Sequence, residues 1–321
     1  MRYIETLHEG DRITSVYMCK QKSSATTKTG KSYENVIIQD KTGCMDAKIW
    51  EPNSSGIDDF DALDYIEISG DVTSFNGMLQ FNIRRVRRCG EGEYDPKDFL
   101  PSSKRDVEEM YAELLGYVKK INNPYIAKLV RSFFVEDEEF VKAFKFHSAA
   151  KSVHHGFIGG LLEHTLGVTK LCDFYADTYP VINRDLILAA AMFHDMGKLR
   201  EISTFPENDY TDDGNLLGHI VMGVEMIGER IRTIDGFPPK VASELKHCIL
   251  AHHGEYEYGS PKKPALVEAL ALNFADNLDA KMETLTEIFA ANEGKSEWLG
   301  FNRLLDSNIR RTSENFSKTM R

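Results

Sequence analysis

The sequence predicts a multidomain α and β protein in which a small N-terminal β-barrel precedes an all-α helical bundle. Its 321 residues exceed the roughly 100 to 200 residues of a typical domain, which favours two domains. β-Branched and aromatic residues dominate residues 1–90, whereas apolar residues recur at helical spacing in residues 106–321. Residues 91–105 are rich in Gly, Pro, Asp and Ser, a composition that predicts a linker.

Five segments of the first domain have the composition of β-strands. They are rich in Val, Ile, Tyr and Phe, and turn residues such as Thr29-Gly30 and Asn76-Gly77 separate them. The segments span residues 12–19, 32–40, 44–50, 65–73 and 79–86. Phe81 lies in phase with its apolar neighbours and is expected in the core. Five short strands of this kind fit a small barrel.

Apolar residues three and four positions apart predict helices in the second domain. The first helix begins near Val107 and ends before Asn122, and Asn123-Pro124 is a typical start for the next one. Further apolar stripes cover residues 158–175, 185–193, 217–231, 241–252 and 265–289. A helical bundle can place side chains from several helices around one interior site.

Composition excludes several classes of protein. No apolar run approaches the roughly 20 residues of a membrane span, and the first residues contain no apolar signal core. We therefore expect a cytoplasmic protein with no membrane partner. The five cysteines are scattered without a CxxC pair, which argues against disulfides and a thiolate zinc site. A net charge of -11 indicates that any contact with nucleic acid is local.

Metal-binding side chains recur in five of the predicted helical segments. These segments offer His164, the pair His194-Asp195, His219, His252 and Asp276. An adjacent His and Asp, followed by Gly197, allows two metal ions to share the Asp195 carboxylate. For any single histidine, an ordinary hydrogen-bonded role is the alternative. A buried Asp276, however, would be unfavourable unless it were paired or metal-bound.

The ligand types restrict the metal and the reaction. Imidazole and carboxylate without thiolate suit Mn, Fe, Co, Ni or Zn. We expect two divalent ions per chain, with Mn favoured and Mg, Co or Fe as alternatives. Two ions about 3.5 to 4 Å apart can generate a hydroxide nucleophile and clamp the oxygens of a phosphodiester. The sequence therefore predicts hydrolysis of a P–O bond.

Three further histidines lie near these ligands. His253 follows His252 directly, and we favour His252 as the ligand and His253 as a residue that binds substrate or hydrogen-bonds a ligand. His154 and His155 lie in a glycine-rich segment where backbone can approach a phosphate closely. Both are predicted to contact substrate, with packing inside a loop as the alternative.

The barrel carries residues suited to single-stranded nucleic acid. Lys28 and Lys31 flank a loop of small residues between the first two strands, and Tyr33 and Trp50 are candidates for stacking on bases. Trp50 alternates with Lys48 and is expected to face a binding groove. The alternative is that these charges only solvate the surface, since residues 1–100 contain 13 Lys or Arg against 17 Asp or Glu.

The helical domain resembles the HD superfamily of metal-dependent phosphohydrolases over residues 140–290. The short motif H…HD…D is met by His164, His194-Asp195 and Asp276. His219 and His252 match the extended two-metal form, in which Asp195 would bridge the ions. Lys198 in HDMGK matches a lysine that contacts a phosphate in such enzymes, with a solvated turn lysine as the alternative. The resemblance thus implies a catalytic role for Asp195 and Lys198, beside that expected for His253.

The barrel segment resembles an OB-fold of the anticodon-binding type, through YENVIIQDKTGCMDAKIW and YIEISGDVTSFNGMLQFNIRRV. An OB-fold ahead of an HD domain, with the motifs GGLLEHT, FHDMGK and AHHGEYEYGSPKKP, resembles the YhaM family of 3′-5′ exoribonucleases. This resemblance implies release of nucleoside 5′-monophosphates from single-stranded RNA or DNA, with Mn as a favoured metal. The alternatives are a phosphodiesterase or phosphatase of small nucleotides and a noncatalytic single-strand-binding adaptor. Single-stranded RNA or DNA is the expected partner, with a second copy of the chain as a further candidate.

Overall fold

The protein is described by a computed structural model that covers residues 1–27, 29–75, 77–151, 155–292, 297–303 and 305–312. The chain forms two compact units. The first comprises Met1–Ser102 with Thr204–Asn208, and the second comprises Ser103–Ser203 with Asp209–Arg321. Among the described helices, none combines the length and apolarity that a membrane span requires.

The first unit contains the predicted five-stranded barrel. Its strands are β1 (Arg12–Thr26), β2 (Ser32–Asp40), β3 (Gly43–Ile49), β4 (Tyr65–Phe75) and β5 (Met78–Arg88). They close in the order β1-β2-β3-β5-β4, with β3 and β5 parallel and the other neighbours antiparallel. This is the OB-type barrel that the sequence predicts. β1 is longer than predicted, since its polar second half continues to pair with β2 up to Thr26 opposite Ser32.

Alternate positions of the barrel strands point inward. Ile38, Ile66, Ile68 and Phe81 are fully buried, which confirms the core position predicted for Phe81. Gly70 lies on β4 next to a register shift, and a Cβ at this position would come within 2.0 Å of the Asn82 carbonyl oxygen. The close approach of β4 and β5 therefore requires glycine at residue 70.

The segment predicted as a linker is largely part of the barrel unit. Tyr94 stacks on Tyr65 with ring centroids 3.8 Å apart, and Phe99 packs edge-on against Tyr65 at 5.2 Å. The Gln39 side-chain amide donates to the Phe99 carbonyl at 3.1 Å. These contacts hold the chain on the barrel as far as Ser102. The sequence predicts a linker here because polar residues dominate the composition of the segment. That composition conceals the apolar surface that Tyr94 and Phe99 bury.

The second unit is a helical bundle that ends in a short β-hairpin. Its elements are α1 (Val107–Val118), α2 (Pro124–Phe134), α3 (Glu138–Phe146), α4 (Gly160–Thr178), α5 (Arg184–Phe193), α6 (Lys198–Glu201), α7 (Asp212–Arg232), α8 (Pro239–Leu250), α9 (Val267–Ala291), β6 (Trp298–Asn302) and β7 (Ser307–Arg310). The hairpin lies in the part predicted to be helical throughout. Its two short strands carry no long apolar pattern that would reveal them.

Polar side chains cap three helices of the bundle, and among them Asn123 is the cap that the sequence predicts. The Asp106 carboxylate accepts hydrogen bonds from the first turn of α1, and the Asn123 side chain does the same for α2, in which Pro124 is the first residue. Asn183 caps α5, a helix whose residues from Leu186 to Phe193 are all buried. This apolar helix ends at the centre of the bundle and delivers His194 and Asp195 there.

Candidate metal centre

The five predicted segments bring all six predicted ligands to one place in the second unit. They supply His164 from α4, His194 and Asp195 from the turn after α5, His219 from α7, His252 from the turn after α8 and Asp276 from α9. His219 directly follows Gly218, which has φ 73° and interrupts the helical backbone of α7. Only glycine adopts this conformation readily, so Gly218 redirects the chain at the point where His219 enters the site.

Asp195 lies at the middle of the ligands. Its Oδ2 is 3.4 Å from Nε2 of His164 and 3.5 Å from Nε2 of His194. Its Oδ1 is 3.5 Å from Nε2 of His219 and 3.8 Å from Nε2 of His252. Each carboxylate oxygen therefore faces its own pair of imidazoles, the arrangement in which one carboxylate can bridge two ions.

Two groups of donor atoms lie on the two sides of Asp195. His164, His194 and Asp276 form the first group, in which Asp276 Oδ1 is 3.1 Å from His164 Nε2 and 3.9 Å from His194 Nε2. His219, His252 and His253 form the second, and within each group the donor atoms lie within 4.8 Å of one another. The bundle thus offers two neighbouring places for a cation.

The opposite ring nitrogens fix the orientation of the candidate ligands His194 and His252. Nδ1 of His194 is 2.7 Å from the Ala191 carbonyl oxygen, and Nδ1 of His252 is 2.7 Å from that of Ile249. A carbonyl oxygen only accepts, so Nδ1 of each ring carries the proton and donates. In the neutral rings, the lone pair of Nε2 is then directed at the centre, as a metal ligand requires.

Two carboxylates that the sequence analysis missed orient the other two histidines. Asp279 accepts from His164 Nδ1 at 2.8 Å, and Glu201 accepts from His219 Nδ1 at 3.0 Å. A Cβ on Gly167 would lie 2.1 Å from Asp279 Oδ1, so glycine at residue 167 makes room for this carboxylate. The spacing of Asp279, three residues after Asp276 on α9, puts both on one helix face and is a signal that could have identified it.

Burial and charge shift the pKa values of His164, His194 and His252. Burial lowers the pKa of His194, and burial with the adjacent His253 holds the pKa of His252 well below its usual value. For His164, burial lowers the pKa, but the Asp276 and Asp279 carboxylates outweigh it and raise the pKa to about 10. The carboxylates therefore favour a positive charge beside His164, which a proton or a metal ion can provide.

The donor set fits divalent metal ions. Nε2 of His219 and Nε2 of His252 are buried and have no hydrogen-bond partner among the described residues. Nε2 of His164 and Nε2 of His194 face each other at 3.2 Å. Leaving the buried Nε2 acceptors of His219 and His252 without a donor is unfavourable, and a cation beside them would satisfy both. Imidazole nitrogen and carboxylate oxygen are ligands of the divalent transition metals.

Lys198 lies at the start of α6, next to Asp195. Its Nζ is 2.7 Å from Asp195 Oδ2. Burial raises the pKa of Asp195, but Lys198 and the surrounding imidazoles outweigh it and hold the pKa well below the usual range. A Cβ on Gly197 would come within 1.9 Å of the His219 carbonyl oxygen, so this glycine lets the turn of FHDMGK pack directly on α7.

A cleft of about 390 Å³ opens onto the centre. Three candidate ligands, several residues of α9 and Leu305 of the β6–β7 loop all line it. Its lining comprises Ala149, His164, Asp195, Lys198, His253, Tyr258, Asp276, Asn277, Ala280, Lys281, Thr284 and Leu305. His253 lines the cleft, and its Nδ1 is 2.9 Å from the Tyr258 carbonyl oxygen. The cleft has room for a small organic group next to the ligands.

The residues predicted to contact substrate lie in both units. His155 is buried beside His164, with ring centroids 5.2 Å apart, and its substrate role stays a prediction. In the barrel unit, Lys31 is exposed and Tyr33 stacks on Trp50 with centroids 5.1 Å apart. Lys28 and His154 lie outside the described residues.

Fold and site together define the class of protein. A family model described as HD domain matches residues 161–281, which run from α4 into α9. The helical unit therefore contains an HD domain, and it follows an OB-type barrel. Two relatives described as 3′-5′ exoribonuclease YhaM are 34% identical to this chain. That of Bacillus velezensis matches over 278 residues, 86% of this chain and 87% of the relative, and that of Bacillus subtilis over 281 residues, 87% and 88%. The chain belongs to the YhaM family of 3′-5′ exoribonucleases.

Proposed function

We propose that this protein is a metal-dependent 3′-5′ exonuclease that hydrolyses single-stranded RNA, and DNA where it is offered, to nucleoside 5′-monophosphates. The observation that carries the proposal is the position of Asp195, whose two oxygens each face a separate group of imidazoles. His164, His194 and Asp276 would hold one divalent ion, and His219 and His252 the other. Both ions would share Asp195. Mn is the favoured metal, since the donor set mixes imidazole with oxygen ligands.

Two such ions would supply a hydroxide nucleophile near neutral pH and offset the charge of a phosphodiester. The chain's own residues would place that phosphodiester. Lys198 lines the cleft, where its ammonium group can bind a phosphate oxygen. His253 lies in the cleft wall with Nδ1 engaged by the Tyr258 carbonyl, so its Nε2 is the nitrogen left for substrate.

The test of this function is the course of degradation of a single strand labelled at its 5′ end. The expected result with the full chain and Mn is progressive shortening from the 3′ end, with nucleoside 5′-monophosphates as the small product. A duplex of the same sequence is the control and should be degraded more slowly. Internal fragments, or turnover of small nucleotides alone, would favour the phosphodiesterase or phosphatase alternative. Binding without hydrolysis would favour the adaptor.

We further propose that the barrel binds the single strand through Tyr33 and Trp50. The two rings stack on each other, and 48% of the Trp50 side chain is exposed. Trp50 Nε1 donates to Asn82 Oδ1 at 2.9 Å, which fixes the ring. Lys48 lies 5.9 Å from the Tyr33 ring and supplies positive charge beside it. A fixed aromatic surface with adjacent cations is typical of sites for single-stranded nucleic acid.

Trp50→Ala is expected to weaken binding of a labelled single-stranded RNA, since loss of one stacked base typically costs about 1 to 3 kcal/mol. Lys31→Glu should reduce the slope of the logarithm of affinity against the logarithm of salt concentration. The expected reduction is roughly 0.7 for each phosphate that the variant no longer binds. Fluorescence anisotropy over a series of salt concentrations measures both effects. Lys97→Glu makes the same charge change at another exposed position of the barrel unit and is the matched control. Equal decreases from Lys31→Glu and Lys97→Glu would contradict a specific role for Lys31.

A further inference from the structure

The β6–β7 hairpin lies next to the metal cleft. Leu305, in the loop between the two strands, is one of the residues that line the cleft. Apart from Leu305, no described residue of the hairpin belongs to the groups of candidate ligands or lines the cleft. The metal centre and the barrel therefore give the rest of the hairpin no role. Its exposed side chains include two large aromatic residues, Trp298 and Phe301, which are 61% and 59% exposed.

The backbone of the hairpin puts both aromatic rings on the same face. Residues three apart on a regular strand point to opposite faces, because side chains alternate. Here the register shifts between Trp298 and Gly300, so Trp298 pairs with Arg310 and Phe301 pairs with Asn308. Arg310 and Asn308 are two residues apart on β7 and share a face, and the rings opposite them share it as well. Gly300 has φ 98°, which only glycine adopts without strain.

The rest of the bundle holds this aromatic surface in place. Arg311 donates to the carbonyl oxygens of Phe289 and Asn292 at the end of α9, at 2.6 and 3.1 Å. Arg310 forms an ion pair with Glu297 and lies 5.7 Å from the Trp298 ring centroid. The rings are therefore presented by an anchored hairpin, although they remain exposed to solvent.

The hairpin also carries a cation close in sequence to the cleft lining. Arg303 is exposed and has no ion pair with any described residue. It precedes the cleft-lining Leu305 by two positions. In a chain with a net charge of -11, such an arginine on the same hairpin as two exposed rings favours a ligand that combines flat apolar groups with negative charge. Single-stranded nucleic acid has this chemistry in every nucleotide.

We propose that the β6–β7 hairpin is a second single-strand-binding site, separate from the barrel. Trp298 and Phe301 stack on bases of the strand, and Arg303 binds a phosphate where the strand leaves the cleft. This inference rests on the proposed function, because a strand whose terminal phosphodiester lies at the metal centre must continue out of the cleft, which Leu305 of the hairpin loop lines. Stacking is tolerant of sequence, since every base has an aromatic face, so the site would hold strands of any sequence.

The test measures RNA binding and degradation by the full chain carrying Trp298→Ala, Phe301→Ala or Arg303→Ala. Binding of a fluorescent single-stranded RNA is followed by anisotropy in the presence of EDTA, so that it does not depend on catalysis. Each aromatic substitution is expected to raise the dissociation constant by about 5- to 150-fold. Trp298→Phe should restore most of the affinity, because it keeps a ring. Phe174→Ala, at a residue of α4 that is 61% exposed, is the matched control and should bind like the unsubstituted chain.

The outcomes separate the hairpin from the proposed function. Reduced binding together with a raised KM on long strands supports the hairpin site. If the folded variants bind RNA as tightly as the unsubstituted chain does, the hairpin site is overturned, even if RNA is still degraded from the 3′ end. If the unsubstituted chain binds RNA without degrading it, the proposed function fails and the affinities of the variants still decide the hairpin. A change of oligomeric state in sedimentation without a change in RNA affinity would assign the surface to self-association and also overturn the proposal.

Discussion

Asp195→Ala is expected to abolish hydrolysis and to remove the bound metal ions while the helical unit stays folded. Asp195 supplies an oxygen to both groups of imidazoles, so no other described side chain can replace it. Activity should therefore fall by more than the roughly 10- to 100-fold that is typical when a group supporting a ligand is removed. His194→Ala should also abolish turnover but leave the second group, His219, His252 and His253, intact.

Metal content per chain after dialysis, turnover of a single-stranded RNA and far-ultraviolet circular dichroism measure these effects. Asp173→Asn is the matched control, since Asp173 is a buried carboxylate of the same unit that pairs with Lys120 and Arg184 outside the centre. This variant should lose thermal stability and keep both metal content and turnover. Near-normal turnover of folded Asp195→Ala would contradict a bridging role for Asp195.

The division of the chain into a barrel and a helical bundle follows from the sequence because each has its own period of apolar residues. Strand alternation places Phe81 inward and Trp50 outward, and both positions agree with the structure. The β6–β7 hairpin was not predicted, because its same-face pair of rings depends on a register shift at Gly300 that breaks the alternation. The tight association of Tyr94 with Tyr65 was missed because pairing between distant residues leaves no local pattern.

The predicted ligands converge because adjacent His and Asp at the end of an apolar helix can only face the interior. Sequence spacing does not reveal which oxygen of Asp195 faces which imidazole, since that depends on the packing of five segments. The spacing of Asp279 after Asp276 places it on the same helix face but does not show which histidine it orients, and Glu201 has no such local signal. Their carboxylates act on ligands that are 115 and 18 residues away along the chain. Gly167 on α4 leaves the space that the Asp279 carboxylate occupies. Its neighbours in the sequence are those of an ordinary helical residue, so the sequence does not indicate this role.

The adjacent histidines His252 and His253 are expected to differ sharply in their effect on bound metal. His252 is fully buried, and its Nε2 lies 3.8 Å from Asp195 Oδ1 without a hydrogen-bond partner among the described residues. His253 is only partly buried and lines the cleft. Both belong to the second group of donors with His219. Burial and the free acceptor atom favour His252 as the ligand, and access to the cleft favours His253 as the residue that meets substrate.

His252→Ala should therefore reduce the metal content from two ions per chain to one and abolish turnover, whereas His253→Ala should retain both ions and lower turnover by roughly 10- to 100-fold. Metal analysis of the dialysed proteins and kinetics with a single-stranded RNA measure both effects. His247→Ala is the matched control, because His247 lies on α8 and its Nε2 accepts from the Ala265 amide, away from the centre. It should keep both ions and full turnover. A greater loss of metal from His253→Ala than from His252→Ala would transfer the ligand role to His253, and equal losses would make both histidines ligands of the same ion.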